Sequence, residues 1–281
     1  MTEHQEDFSS RSARRRFFEQ ALLSAAPRML SRMDRCPVSA SSGCLDREYW
    51  AWSAKDYANI DMQRFPENIY FQREAMRLWI ERGVEFWIKS QDRYGGFNHL
   101  YPYESSWMAT AFTLVDLLAV YRMCGDDIKP EIKSRWIDAM RKSAELLVCY
   151  DERHGFISNH RAGAATALMG VSMLTGEDRY AKHAWDIMGD VFEHQSDEGW
   201  FLEYQGADPG YQTLDTHYQA AFYLETGNAQ VLESARKSLE FLSYFFHPDT
   251  SVGGEYGSRN CPNYFPGGLE VFASLFPIAE A

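Results

Sequence analysis

Four polar residues in a row, Ser158-Asn159-His160-Arg161, stand directly before the small apolar run AGAATALMGVSML. Residues of these types can hold an anion and move a proton. The Asn159 amide donates hydrogen bonds. His160, with an ordinary pKa of about 6.5, can give or take a proton near neutrality. Arg161 offers a planar fork matched to a carboxylate. One stretch further on, GADPGYQTLDTHY carries Tyr211, a phenol able to serve as acid or base. Tyr204, His217 and Tyr218 flank it. A later turn, GGEYGSRN, brings Glu255, Arg259 and Asn260. Each type also has a plain use: Asn is among the best helix caps, histidine sits well in a hydrogen-bonded core, and arginine commonly pairs on a surface.

What positions these residues is a repeat. Turns containing Gly43, Gly96, Gly155, Gly199 and Gly254 are each followed by aromatic and polar residues and then by an apolar segment. The segments after the second, third and fourth turns end in MCGDD, LTGED and ETGNA. Their glycines, Gly125, Gly176 and Gly227, are expected to supply left-handed helix caps. After each cap comes a charged segment with apolar residues at three- and four-residue steps, such as EIKSRWIDAMRKSAELLVCY. One unit of roughly 50 residues is therefore turn, buried helix, Gly cap, amphipathic helix. This predicts an all-α fold, an (α/α) toroid of about five to six helical hairpins with buried helices inside and amphipathic ones outside. The polar turns fall on one rim and the Gly caps on the other. Asp126-Asp127, which follows a cap, is placed on the far rim. A single domain over 1–281 is expected, with a helical extension over 1–42, repeats over 43–281, and extended pieces near 251–257.

Composition narrows the classes. A net charge of -12 argues against a nucleic-acid partner. Apolar content of 45% and aromatic content of 15% describe a globular chain. No apolar run is expected to approach the roughly 20 residues of a membrane span, and the N-terminus lacks the apolar centre of a secretory signal. A cytoplasmic location and no membrane partner are expected. The five cysteines are scattered and form no CxxC, so neither a disulfide framework nor a metal site is expected. No cofactor is expected either.

The adjacent pair Asn159-His160 at a helix start, and EYQGADPGYQTLDTHY one repeat later, resemble the heparinase II/III-like and alginate-lyase toroids. The resemblance covers the toroid and not the β-sandwich that usually follows it in that family. It implies a lyase or epimerase acting on an acidic, uronic-acid-containing oligosaccharide or polysaccharide by abstraction of the carbon 5 proton. It implies that Asn159, His160 and Tyr211 are catalytic. Arg161, Tyr204, His217, Glu255, Arg259 and Asn260 are expected to bind substrate, and Trp52, with Tyr49 and Trp50, to stack on sugar or pack in the core. Two other readings stay open: a glycoside or unsaturated-uronide hydrolase using paired carboxylates from Asp208, Asp215 and Glu255, and a non-catalytic glycan-binding or assembly module.

Overall fold

A computed structural model describes residues 11–44, 74–249, 251–260 and 264–279. Its α-helices are α1 (Arg11–Ser31), α2 (Glu74–Ser90), α3 (Trp107–Cys124), α4 (Pro130–Cys149), α5 (Ser158–Thr175), α6 (Asp178–Glu193), α7 (Pro209–Thr226), α8 (Ala229–Leu242) and α9 (Gly267–Phe272). Among the described residues β-structure is limited to isolated bridges. The all-α class read from the repeat holds. Trp52, Tyr49 and Trp50 lie outside the described residues.

Chain contacts sort into two compact units, Met1–Gln91 with Asp116–Ala139, and Asp92–Val115 with Met140–Ala281. In the first, the buried Glu81 carboxylate of α2 binds the Lys129 ammonium at 3.0 Å. Gln91 caps the same unit by donating to the Ala139 carbonyl at 2.8 Å.

The second unit holds every described candidate residue. Within it α5 packs on α6 and α7, and α7 packs on α8 and α9. Helix α5 is buried nearly all round, because Ala162, Gly163, Ala164, Ala165 and Ala167 leave room for neighbours on every side. Gly163 is needed for this: a Cβ there would sit 2.6 Å from the Phe112 ring. In contrast, α6 buries a single stripe, Tyr180, Ala184, Ile187, Met188 and Val191, at helical spacing. Helix α8 does the same with Val231, Ala235, Leu239 and Leu242. Against the expectation that no run would do so, Trp107–Asp127, which begins with α3, has the length and mean hydropathy of a membrane span; 67% of its 18-residue window is buried within the protein, as in a core helix.

Gly176 and Gly227 close α5 and α7 in the left-handed conformation, at φ 74° and 59°, as expected. Asn159 and Gly176 thus lie at opposite ends of α5, about 25 Å apart by helical rise. Gly125 departs from the expectation. It opens a 3-10 turn, Gly125–Asp127, whose Asp126 carboxylate is held by Lys133 at 2.7 Å, and it has no positive φ. In the second turn Gly95, not Gly96, takes the left-handed position (φ 94°), and Gly254 belongs to a 3-10 turn. The backbone approach explains which glycine is required. A Cβ at Gly95 would lie 2.2 Å from the Lys142 carbonyl oxygen, and one at Gly199 would lie 2.2 Å from that of Lys237. The two turns also share a bond pattern: the Phe97 N–H donates to Thr110 Oγ1, and the Phe201 N–H donates to Gln212 Oε1.

Gly199→Ala is expected to cost much more stability than Gly155→Ala. Both positions have φ near 100°. A Cβ at Gly155 meets nothing within 4 Å, so only backbone strain of about 1 kcal/mol applies. At Gly199 the Lys237 backbone must also move, adding about 2 kcal/mol or more. Urea unfolding measures both; equal costs would mean that the turn relaxes freely away from α8.

Candidate active site

The start of α5 is built by a neighbouring strand-like segment. Ile157 is the N-cap residue, extended at φ -134° and ψ 109°, and it bridges to Glu203. The Ser158 N–H donates to the Leu202 carbonyl at 3.0 Å. This docking sets the Glu203 carboxyl over the first turn of α5. Its Oε1 accepts both the Asn159 N–H (3.0 Å) and the Asn159 Nδ2 (2.6 Å). Asn159 is therefore not the cap of α5; Glu203 satisfies its first-turn donor, with the positive end of the helix behind it. Both residues are fully buried. Burial raises the Glu203 pKa to about 7; the Asn159 bonds and Arg259 act against it, and the charge of Asp208 adds to it.

His160, the next residue, is 5% exposed. Its Nδ1 lies 2.8 Å from Glu152 Oε2, and its ring meets Phe112 edge-on at 5.7 Å. Burial lowers the His160 pKa, and Glu152 opposes this only in part. Glu152 also accepts from the His154 N–H and faces the His154 ring nitrogen at 2.7 Å. Burial alone would raise the Glu152 pKa, but the bond and charge of His160 and the bonds from His154 outweigh it and hold it at about 2. Glu152 is thus ionised at neutral pH. The neutral imidazole then keeps its proton on Nδ1, toward Glu152, and carries its lone pair on Nε2. Arg161 is tied up otherwise: it binds Asp151 at 3.1 Å, reaches Asp190 at 3.5 Å, and lies 4.9 Å over the Phe156 ring.

Helix α7 begins on a second carboxylate. Asp208 is its N-cap, with Oδ1 accepting the Tyr211 N–H at 3.0 Å. Asp208 Oδ2 accepts the Arg259 N–H at 2.7 Å. That bond brings in the turn 251–260, which packs so closely that a Cβ at Gly257 would overlap Asp208. The Arg259 guanidinium then lies 3.5 Å over the Tyr211 ring and 4.9 Å from the Tyr204 ring. Its Nη1 stands 3.6 Å from Glu203 Oε2. Tyr204 takes the left-handed conformation (φ 48°), an uncommon one for a tyrosine.

The structure thus gathers Asn159, His160, Tyr204, Tyr211 and Arg259 from three turns, with Glu203 among them. Four expected members stand apart. Arg161 is held by its two aspartates, and Glu255 and Asn260 are exposed on the 251–260 turn. His217 packs its ring against Gly267, where a Cβ would meet Nδ1 at 2.5 Å, and burial lowers its pKa. Of the paired-carboxylate candidates, Asp208 is spent on two backbone N–H groups, Asp215 is fully buried against Gln219, and Glu255 is exposed. Glu152 and Glu203 were not singled out from sequence. Their signal was an acidic residue in each turn, in DERHGF and FLEYQG, which on its own reads as ordinary turn chemistry. Among the described residues no group of three or more His, Cys, Asp or Glu is arranged to hold a metal.

A family model described as the ulvan lyase N-terminal domain matches residues 81–267. The chain belongs to that family. The match spans α5, α7 and the 251–260 turn, and so takes in Asn159, His160, Glu203, Tyr211 and Arg259. No curated protein matches the chain significantly. The family is one of polysaccharide lyases acting on uronic-acid glycans, which supports the polysaccharide-lyase expectation but does not extend to a heparinase-type identity.

The Glu152 pairing has a consequence for stability. Its carboxyl is held at about 2 against an ordinary 4.5. As the pH falls the unfolded chain takes up this proton first, so the stabilisation present above about pH 4.5 is lost progressively toward pH 2. Glu152→Gln removes this contribution, and unfolding titrations at about pH 5 and pH 3 are expected to show a smaller acid loss in the variant than in the wild type. The same slope in both proteins would contradict the lowered pKa.

Proposed function

We propose that this family member cleaves a uronic-acid-containing glycan, ulvan being the natural first candidate, by β-elimination. His160 Nε2 removes the proton at carbon 5, the electrons form the carbon 4–5 double bond, and the carbon 4–oxygen bond breaks as Tyr211 donates its phenolic proton to the leaving oxygen. The intermediate gathers charge on the substrate carboxylate, and preorganised donors must meet it. Arg259, stacked on Tyr211, is the cation placed to do so. Asn159 acts by holding Glu203.

The observation that carries this reading is the buried Glu152–His160 pair at 2.8 Å in a segment matched to a lyase family. A carboxylate on Nδ1 keeps the other nitrogen available as a base. Burial lowers the His160 pKa, so the basic form persists below about pH 6.5. Tyr204 and Tyr211 provide ring faces beside the cation.

Turnover on ulvan and on other uronic-acid glycans is followed by the ultraviolet absorbance of the conjugated product. Tyr211→Phe and His160→Gln are each expected to lose about 100-fold or more in kcat, with melting temperatures near that of the wild type. The acid limb of kcat/KM is expected below about pH 6.5. Full turnover in folded Tyr211→Phe removes Tyr211 from the chemistry. Deuterium exchange at carbon 5 with no absorbance would replace elimination by epimerisation.

A further inference from the structure

Arg259 and Glu203 face each other without completing a bond. Arg259 Nη1 and Glu203 Oε2 are 3.6 Å apart, and neither atom has a hydrogen-bond partner although both are buried. The other carboxylate oxygen, Oε1, is already spent on the two Asn159 donors. The guanidinium cannot move far: its plane is held over the Tyr211 ring, and its backbone N–H is anchored on Asp208. Each partner is thus fixed by other bonds at a separation that leaves the pair unfinished.

The charges around Glu203 are unbalanced. From α5 it faces Asn159, with His160 the next residue. From α7 and its cap it faces Asp215 and Asp208, and from the 251–260 turn it faces Arg259. Among these described residues, Arg259 is the one cation beside three carboxyl groups. Asp215 is fully buried, and burial together with the charge of Glu203 raises its pKa well above the ordinary value. An incoming substrate carboxylate would add a further negative charge beside the same guanidinium. Two carboxylates cannot share one partly buried cation without strong repulsion, and the usual relief is that one of them takes a proton.

We propose that Glu203 is an internal counter-ion for Arg259 that the uronate carboxylate replaces, with Glu203 taking up a proton as the anion binds. This rests on the uronic-acid reading of the substrate and deepens it. The proton goes to the unpartnered Oε2, and the guanidinium, still held over Tyr211, pairs with the ligand carboxylate. In the free protein burial pushes the Glu203 pKa up to about 7. The sign follows. Below that pH Glu203 already carries its proton, and anion binding is independent of pH. Above it, each bound carboxylate must draw a proton from solvent, so affinity falls as the pH rises.

The test uses methyl glucuronide, which carries the carboxylate but no glycosidic bond at carbon 4 and so is not cleaved, with methyl glucoside as the neutral control. Kd is measured by nuclear magnetic resonance titration from about pH 6 to pH 9. In the wild type Kd is expected to be level at the acid end and then to rise up to about tenfold per pH unit above 7. In Glu203→Gln the rise is expected to vanish. Calorimetry of the wild type at about pH 8, in two buffers of different ionisation enthalpy, is expected to show uptake of close to one proton. That second measurement stands even if the glutamine variant folds poorly. A level Kd, no proton uptake, the same rise in Glu203→Gln or no binding of the glucuronide overturns the proposal. The lyase reading fails separately: proton-linked glucuronide binding by a protein that cleaves no uronic-acid glycan would leave the counter-ion standing and remove the elimination. Cleavage with pH-independent binding would do the reverse.

Discussion

A carboxylate taken fully out of water must be met by donors, or it becomes neutral. Glu203 is such a carboxylate, and much of the site follows from how it is met. Its donors come from the first turn of α5 and its cation from the turn 251–260, so its burial joins two pieces distant in sequence. Asp208 repeats the arrangement at the start of α7, where it binds the Tyr211 N–H and the backbone of Arg259. Arg259 is shared, touching one carboxylate through its main chain and approaching the other through its guanidinium. Charged groups that would be costly apart thereby fix the helix starts relative to one another.

The same unit drives two glutamates in opposite directions. Glu152 accepts bonds from two histidines and stays ionised; Glu203, with an amide donor and a distant guanidinium, rises to about 7. Carboxyl groups whose pKa values are driven apart in this way can take different parts in proton chemistry. Behind them α5 supplies a rigid floor, since its alanines and Gly163 let Phe112 and Tyr218 close onto it.

Sequence and structure agree most closely where the cause is local. The stripe Tyr180, Ala184, Ile187, Met188 and Val191 follows from helical geometry and hydrophobicity, and it was readable. So were the caps at Gly176 and Gly227, where a lone glycine past an apolar run admits a left-handed residue. Asn159, His160 and Tyr211 stood out by type and position. The choice of Gly95 over Gly96 was not readable, because it depends on a carbonyl of Lys142 arriving from another helix.

By itself, then, the sequence determined the helical class, the hairpin repeat and the turns in which the polar residues gather, because periodicity and glycine conformation act over a few neighbouring residues. Only the tertiary structure decided what those polar residues do. Asn159 could have been a cap and is instead capped by Glu203; Arg161 could have held an anion and is held by Asp151 and Asp190. Arg259 could have been a turn residue and lies on the Tyr211 ring beside a buried carboxyl. Charge, burial and hydrogen bonding are properties of neighbours in space, and these neighbours are brought by segments tens of residues apart.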